Sequence, residues 1–277
     1  MVSFTILVDC PDEKGLIYRI TRVLYNRQLN IVKNREFVDG DTNRFFMRTE
    51  VEGTADENIL QEELVAALPP RSSVKIITAR QKKLVVLATR ESHCLGDLMV
   101  RNHFREWNAD ICAVISNHHL LENFVTRLGV PFHAVLSEGI SRDEQEHTVA
   151  ELIDGYDPDY VVLAKYMRIL TPAFVERYQN RIINIHHSFL PAFVGAHPYR
   201  QAYDRGVKII GATAHFVNNN LDEGPIICQN VIPVDHSQNA SDMAKAGKDV
   251  EKMVLSRALK LVLEDRIMLS GNKTIIF

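Results

Sequence analysis

Apolar and polar positions follow two rhythms along the chain, and the change between them falls near residue 82. In the first stretch, residues 4–8 read as a strand and the turn-rich segment 9–15 follows. Leu16, Ile17, Ile20, Val23 and Leu24 then repeat at helical spacing. Residues 30–38 and 44–51 read as two strands joined by a hairpin turn at Asp39-Gly40-Asp41-Thr42. A helix over 56–67 and a strand over 73–78 complete a βαββαβ order, which predicts a ferredoxin-like domain over residues 1–82.

Gln81-Lys82-Lys83 is a polar junction, after which the rhythm changes to continuous apolar runs. These runs cover 84–89, 111–115, 132–136 and 160–164, and such runs mark strands buried on both faces of a parallel sheet. Helical patterns over 95–107, 119–128 and 142–156 separate them. The alternation predicts an α/β domain over 83–277, with a doubly wound, mostly parallel sheet and helices on both faces. Further strands are expected at 181–186, 212–217 and 226–234, then a long amphipathic helix over 241–265 and a short apolar tail at 274–277.

Composition narrows the function classes. The 277 residues carry a mild net charge of −3 and no basic cluster, so nucleic-acid binding is not the expected activity. The start of the chain lacks a charged segment followed by a long apolar run, so no secretory signal is expected. The longest apolar runs are strand-sized, so neither a transmembrane helix nor a membrane partner is expected. Cys10, Cys94, Cys112 and Cys228 are scattered without a Cys-x-x-Cys pair, as expected for reduced thiols in a cytoplasmic protein. The 11 histidines include no His-Glu-x-x-His, and no required metal is expected, although His186, His197 and His215 are spaced so that folding could gather them. No Gly-x-Gly-x-x-Gly follows the first strand of the second domain, which leaves a dinucleotide-dependent dehydrogenase without support.

The stretch with most chemistry is Asn184-Ile185-His186-His187-Ser188-Phe189-Leu190-Pro191. Strand alternation sends Asn184 and His186 out on one face near the carboxyl end of a strand, where open α/β sheets bind ligands. An amide donor beside an imidazole suits carbonyl chemistry: the amide stabilises an oxyanion and the imidazole moves protons near neutral pH. Asp222, in Leu221-Asp222-Glu223-Gly224-Pro225 after another expected strand, is placed to orient that imidazole. Spacing alone leaves the matter even, because Asn, His and Asp are ordinary loop residues too.

The pattern Asn-Ile-His-x-Ser-x-Leu-Pro, followed by Asp-x-Gly-Pro, resembles the folate-dependent formyltransferase family over residues 84–265. The resemblance implies Asn184, His186 and Asp222 as catalytic residues and a folate pocket with two walls. One wall is Met167, Arg168, Ile169 and Leu170; the other is Asn218, Asn219, Asn220 and Leu221. It also implies that the loop 191–199 lies beside the active site and that His215 is structural. Asp12, Gly15 and Leu16, between the first strand and first helix, resemble the ACT domain family. That resemblance implies an amino-acid effector such as glycine or methionine at those residues, or a domain used only to pair subunits; both readings stand.

The segment Thr89-Arg90-Glu91-Ser92-His93 has no glycine in its turn and an acidic Glu91, a poor phosphate cradle. An ACT-like domain joined to this catalytic unit resembles the formyltetrahydrofolate deformylase branch of the family. That branch implies hydrolysis of 10-formyltetrahydrofolate to formate and tetrahydrofolate, with formate going to purine biosynthesis. It implies no separate cofactor and a homo-oligomer, dimer or tetramer. The alternatives are a formyltransferase of the glycinamide ribonucleotide type, which passes the formyl group to an amine, and a sensor without catalysis. Within the mechanism, His186 is either the proton carrier or a charged stabiliser of the oxyanion.

Overall fold

A computed structural model of the protein describes residues 2–192 and 198–277. The chain divides into two compact units. One comprises residues 1–80, 265–270 and 275–277; the other comprises 81–264 and 271–274.

In the first unit, β1 (Val2–Pro11), α1 (Leu16–Asn26), β2 (Asn30–Asp39), β3 (Arg44–Gly53), α2 (Glu57–Ala67) and β4 (Ser73–Thr78) follow one another as the sequence predicts. The strands form an antiparallel sheet of order β2-β3-β1-β4. Alternation explains the core: Phe4, Ile6, Val8 and Cys10 of β1 share a face with Phe45, Met47 and Val51 of β3. The helices close that face with Leu16, Ile20, Leu24, Leu60 and Leu64. Asp56 starts α2 by accepting the backbone N–H groups of Asn58 and Ile59. The sequence pattern puts all of 83–277 in the second domain, whereas 265–270 and 275–277 group with the first. Polar contacts account for this: Arg48 Nε donates to the Asp265 carbonyl at 2.8 Å, and Ser270 Oγ donates to Asp39 at 3.4 Å.

The second unit holds β5 (Lys82–Ala88), α3 (His93–His103), β6 (Ala109–Ser116), α4 (Glu122–Arg127), β7 (Phe132–Ala134), α5 (Arg142–Tyr156), β8 (Tyr160–Ala164), α6 (Pro172–Arg177), β9 (Ile182–His186), α7 (Pro198–Asp204), β10 (Ile209–Phe216), β11 (Ile226–Pro233) and α8 (Ala240–Leu263). A final hairpin pairs β12 (Ile267–Ser270) with β13 (Lys273–Ile276). The seven-stranded sheet has the order β11-β10-β9-β8-β5-β6-β7. Its strands from β9 to β7 are parallel, and β10 runs antiparallel to both of its neighbours, β9 and β11.

Both faces of this sheet are covered, as the continuous apolar runs require. Val85, Leu87, Val161 and Leu163 pack with Val149 and Ile153 of α5 and Phe174 of α6. Their neighbours Leu84, Val86 and Val162 face the other way and are fully buried too. The short α6 and α7 and the strand β12 are not legible as separate elements in the sequence pattern. The helix expected over 95–107 ends at His103, where Arg105 turns into the left-handed region at φ 53°.

The strand order sets the site. From β5 the chain builds outward through β6 and β7, then returns to the other side of β5 as β8 and builds the opposite way. The carboxyl ends of β5 and β8 therefore flank the switch point of the sheet, the position where such folds bind ligands.

Candidate active site

Beside that switch point, past the carboxyl ends of β8 and β9, lies a cavity of about 290 Å³. Asn184 and His186 line it together, so the face-sharing that strand alternation predicts holds for β9. Asp222 lines it as well, arriving from the turn between β10 and β11. Both expected folate walls, Met167 to Leu170 and Asn218 to Leu221, line the same cavity. All eleven residues thus converge, although they come from three separate parts of the chain.

Asp222 reaches His186 with Oδ1 3.3 Å from Nδ1, and both side chains are buried. In the neutral ring this contact places the proton on Nδ1, facing Asp222, and leaves Nε2 as the acceptor nitrogen. Nε2 is buried and has no hydrogen-bond partner among the described residues. Burial opposes the charge of Asp222, but the hydrogen bond and charge of His186 outweigh it and hold the carboxyl below its ordinary range.

The turn that carries Asp222 is shaped by its sequence. Asp222 has φ 57°, a left-handed conformation that Asp tolerates better than most residues. A Cβ on Gly224 would stand 1.7 Å from the Phe216 carbonyl oxygen, so glycine is required for the turn to close on β10.

His215 is buried, as expected of a structural residue, and it also acts on the site. Its Nδ1 lies 2.8 Å from the Phe216 carbonyl, which can only accept, so Nδ1 carries the proton. Nε2 is then an acceptor for the Asn184 amide at 3.2 Å. That bond uses one amide hydrogen and fixes the rotamer, so the second hydrogen remains for a ligand. Burial lowers the pKa of His215 despite the Phe216 bond and the Asp222 charge, which keeps Nε2 unprotonated.

His187, next to His186, lines the cavity without sharing its chemistry. Burial, then the charges of Lys165 and His186, push it down to about 4, so it is neutral at physiological pH. Thr213 anchors the segment that ends β9: its hydroxyl donates to the Ser188 carbonyl and accepts from the Leu190 N–H.

One group of side chains in the site is not singled out by the sequence pattern. Lys165 lines the cavity, is buried, and has φ 63°. A left-handed conformation costs a lysine roughly 1–2 kcal/mol. Its Nζ lies 3.2 Å from Glu251 of α8, which is 1% exposed. Glu251 also accepts from Tyr199 Oη at 2.6 Å and pairs with His93 Nε2 at 2.8 Å. Burial would raise this carboxyl, but the bonds from His93 and Tyr199 and the Lys165 charge hold it at about 2. The sequence does carry a signal: Glu251 sits on the apolar stripe Val250, Val254, Leu255 and Ala258 of α8, where an isolated carboxylate demands partners.

His93, Cys94 and Glu251 also place ligand-type atoms within 4.8 Å of one another. Their chemistry does not suit a metal ion. Glu251 is already bonded to three donors, and burial raises the Cys94 thiol far above neutral pH, so it stays protonated. Of the histidines expected to gather, His186 and His215 both approach Asp222, at 3.3 and 3.9 Å, while His197 and most of the loop 191–199 lie outside the described residues.

The expected effector residues occupy the loop before α1. Leu16 is core, Gly15 adopts φ 92° ahead of the helix, and the Asp12 N–H donates to the Asn43 carbonyl at 2.9 Å. No helix among the described residues is long and apolar enough to cross a membrane.

Comparison with known proteins agrees with both halves of this description. Residues 82–259 match the family model for formyl transferases, and residues 4–68 match that for ACT domains. A formyltetrahydrofolate deformylase of Haemophilus influenzae is 57% identical over 271 residues, covering 98% of each chain. The crystal structure of a formyltetrahydrofolate deformylase from Pseudomonas syringae pv. tomato superposes with a TM-score of 0.95 at 39% identity, covering 100% of this chain and 95% of that one. A glycinamide ribonucleotide transformylase from Symbiobacterium toebii matches 71% of this chain and 94% of its own, with a TM-score of 0.68 at 31% identity. The chain therefore belongs to the formyl transferase family, on the formyltetrahydrofolate deformylase branch that carries an ACT domain ahead of the formyl transferase domain.

Proposed function

We propose that the protein hydrolyses 10-formyltetrahydrofolate to formate and tetrahydrofolate, with Asn184, His186 and Asp222 as its catalytic residues. The observation that carries this reading is their convergence on one cavity with the two folate walls, in a chain 57% identical to a formyltetrahydrofolate deformylase. The substrate's ring system lies between Met167–Leu170 and Asn218–Leu221, and its formyl group points at Asn184 and His186. Water adds to the formyl carbon while its proton passes to His186 Nε2. The free Asn184 hydrogen bonds the oxyanion that forms. The carbon–N10 bond then breaks, Nε2 returns the proton to N10, and formic acid loses its own proton to leave as formate. Asp222 holds Nδ1–H and offsets the charge of the transient imidazolium. No step calls for a metal or a cofactor.

The reading extends to the first unit. The loop at Asp12, Gly15 and Leu16 takes an amino-acid effector such as glycine or methionine, and subunits pair through β2. That edge strand exposes Val32, Phe37 and Val38, an apolar edge that a monomer would ordinarily blunt. The formate feeds purine biosynthesis, and the free thiols and folate substrate favour the cytoplasm.

The test is purified protein with 10-formyltetrahydrofolate and no amine acceptor. Formate and tetrahydrofolate should appear in equal amounts, and both should disappear in His186→Ala. Tight folate binding without formate release would refute hydrolysis and favour transfer to an unidentified amine.

A further inference from the structure

Resting on the hydrolase reading, we propose that Lys165, held by Glu251, Tyr199 and His93, is a built-in plug on the acceptor side of the cavity that makes water the acceptor in place of an amine. A folate between its two walls leaves its formyl carbon open to attack from the remaining side. Beyond the two walls, the lining includes Lys165 and His187 beside Asn184 and His186, and the acceptor side is assigned to them. Behind Lys165 stands a bonded network, and His187 and Tyr199 also border a smaller cavity of about 100 Å³. The His187 ring lies 6.1 Å from that of Tyr199, Tyr199 bonds Glu251, and Glu251 takes the Lys165 ammonium at 3.2 Å and His93 at 2.8 Å.

A buried carboxylate with several donors converging on it has the chemistry of an amine-binding site. Here the ammonium it holds belongs to the chain itself. Lys165 keeps this place in a backbone conformation unfavourable for lysine, which persists only where the surroundings over-determine it. Size points the same way. The cavity, about 290 Å³, lies just below the roughly 300–1,000 Å³ of small-molecule sites. Beside a folate head group in that volume, a water needs only about 30 Å³. The relative from Symbiobacterium toebii, a transformylase by name, shares the fold, so the choice of acceptor rests on side chains.

In transfer, the amine nitrogen adds to the formyl carbon, the carbon–N10 bond breaks, and the proton lost by the amine goes through His186 to N10. Removing the plug should permit this step. The experiment uses the full chain with 10-formyltetrahydrofolate and glycinamide or ethylamine, and scores tetrahydrofolate, formate and N-formyl amine by chromatography. The parent should give formate with no more than a trace of N-formyl amine. Lys165→Ala should raise the fraction of formyl groups passed to the amine by about tenfold or more. Ethylammonium should also raise the unfolding midpoint of Lys165→Ala and leave that of the parent unchanged, because only the variant has an open carboxylate to bind it. If Lys165→Ala does not fold, Lys165→Ala/Glu251→Gln removes both charges together; it should transfer to the amine and gain nothing from ethylammonium. A folded, active Lys165→Ala or double variant with the parent's product ratio would overturn the plug. For a folded but inactive Lys165→Ala, an unchanged midpoint in ethylammonium would overturn it. A parent that releases no formate would overturn the hydrolase reading instead, while the ethylammonium shift would still report on the plug.

Discussion

Replacing Asp222 with Asn changes one charge and almost nothing else, because Asn has the same shape and tolerates the left-handed backbone found there. The carboxylate oxygen stands 3.3 Å from His186 Nδ1, with both groups buried. With the effective dielectric of about 20 that suits protein sites, an imidazolium at that distance is favoured by about 5 kcal/mol. Partial desolvation offsets some of this, so losing half to all of it slows turnover by roughly 70- to 5,000-fold. His215 cannot substitute, since its Nε2 is unprotonated and engaged by Asn184. The assay is formate release from 10-formyltetrahydrofolate at saturating substrate, with folate affinity measured separately by fluorescence quenching. Folate affinity should change little, because the lost interaction grows only as charge develops on the imidazole. Turnover within about tenfold of the parent, with intact binding, would refute the assignment of Asp222 to the imidazolium.

Three further outcomes follow from the geometry. Asn184→Ala should reduce turnover about 100- to 1,000-fold with the fold intact, as for loss of an oxyanion donor, and circular dichroism with a formate assay checks both. Gly247→Ala should destabilise the protein by about 1–3 kcal/mol in urea unfolding, although alanine is the better helix former: its Cβ would fall 2.1 Å from the Tyr199 hydroxyl and 2.2 Å from Cζ, where the ring reaches Glu251. Glu251 has a folded pKa of about 2 against an ordinary 4.5, so its contribution of about 3 kcal/mol is present above pH 4.5 and is lost as pH falls towards 2. Urea midpoints measured across that interval should therefore fall more steeply for the parent than for Glu251→Gln.

Elements with a clear period are legible in the sequence. The βαββαβ order, the apolar runs of the parallel strands and the long α8 all follow from spacing, because each buries a face of fixed periodicity. Asn184 and His186 are legible for the same reason, since a strand cannot send them to opposite faces. Short helices such as α6 and α7 escape because six or seven residues show no repeat. The Glu251 network escapes for a different reason. Its members Lys165, Tyr199, His93 and Glu251 come from four elements or their ends, and only the strand order brings them together. The left-handed turn at Lys165 is likewise set by packing and has no local sequence mark.

The ladder between β9 and β10 sets His215 opposite Asn184 and Thr213 opposite His186. Each of the two β9 residues is thus matched to a particular rung of β10. A single inserted or deleted residue within β10 would move the neighbouring side chains onto these rungs and turn His215 to the far face. The irregularity between Ala214 and His215, where β10 meets β11, shows how the fold absorbs a length mismatch: it falls on the β11 side, and the ladder to β9 stays continuous. Insertions are therefore expected to be lethal to activity within Ile209–Phe216 and far better tolerated past the end of β11, in the exposed turn around Asp235 to Ser237. The chemistry of this protein is in that sense a reading frame written in strand register.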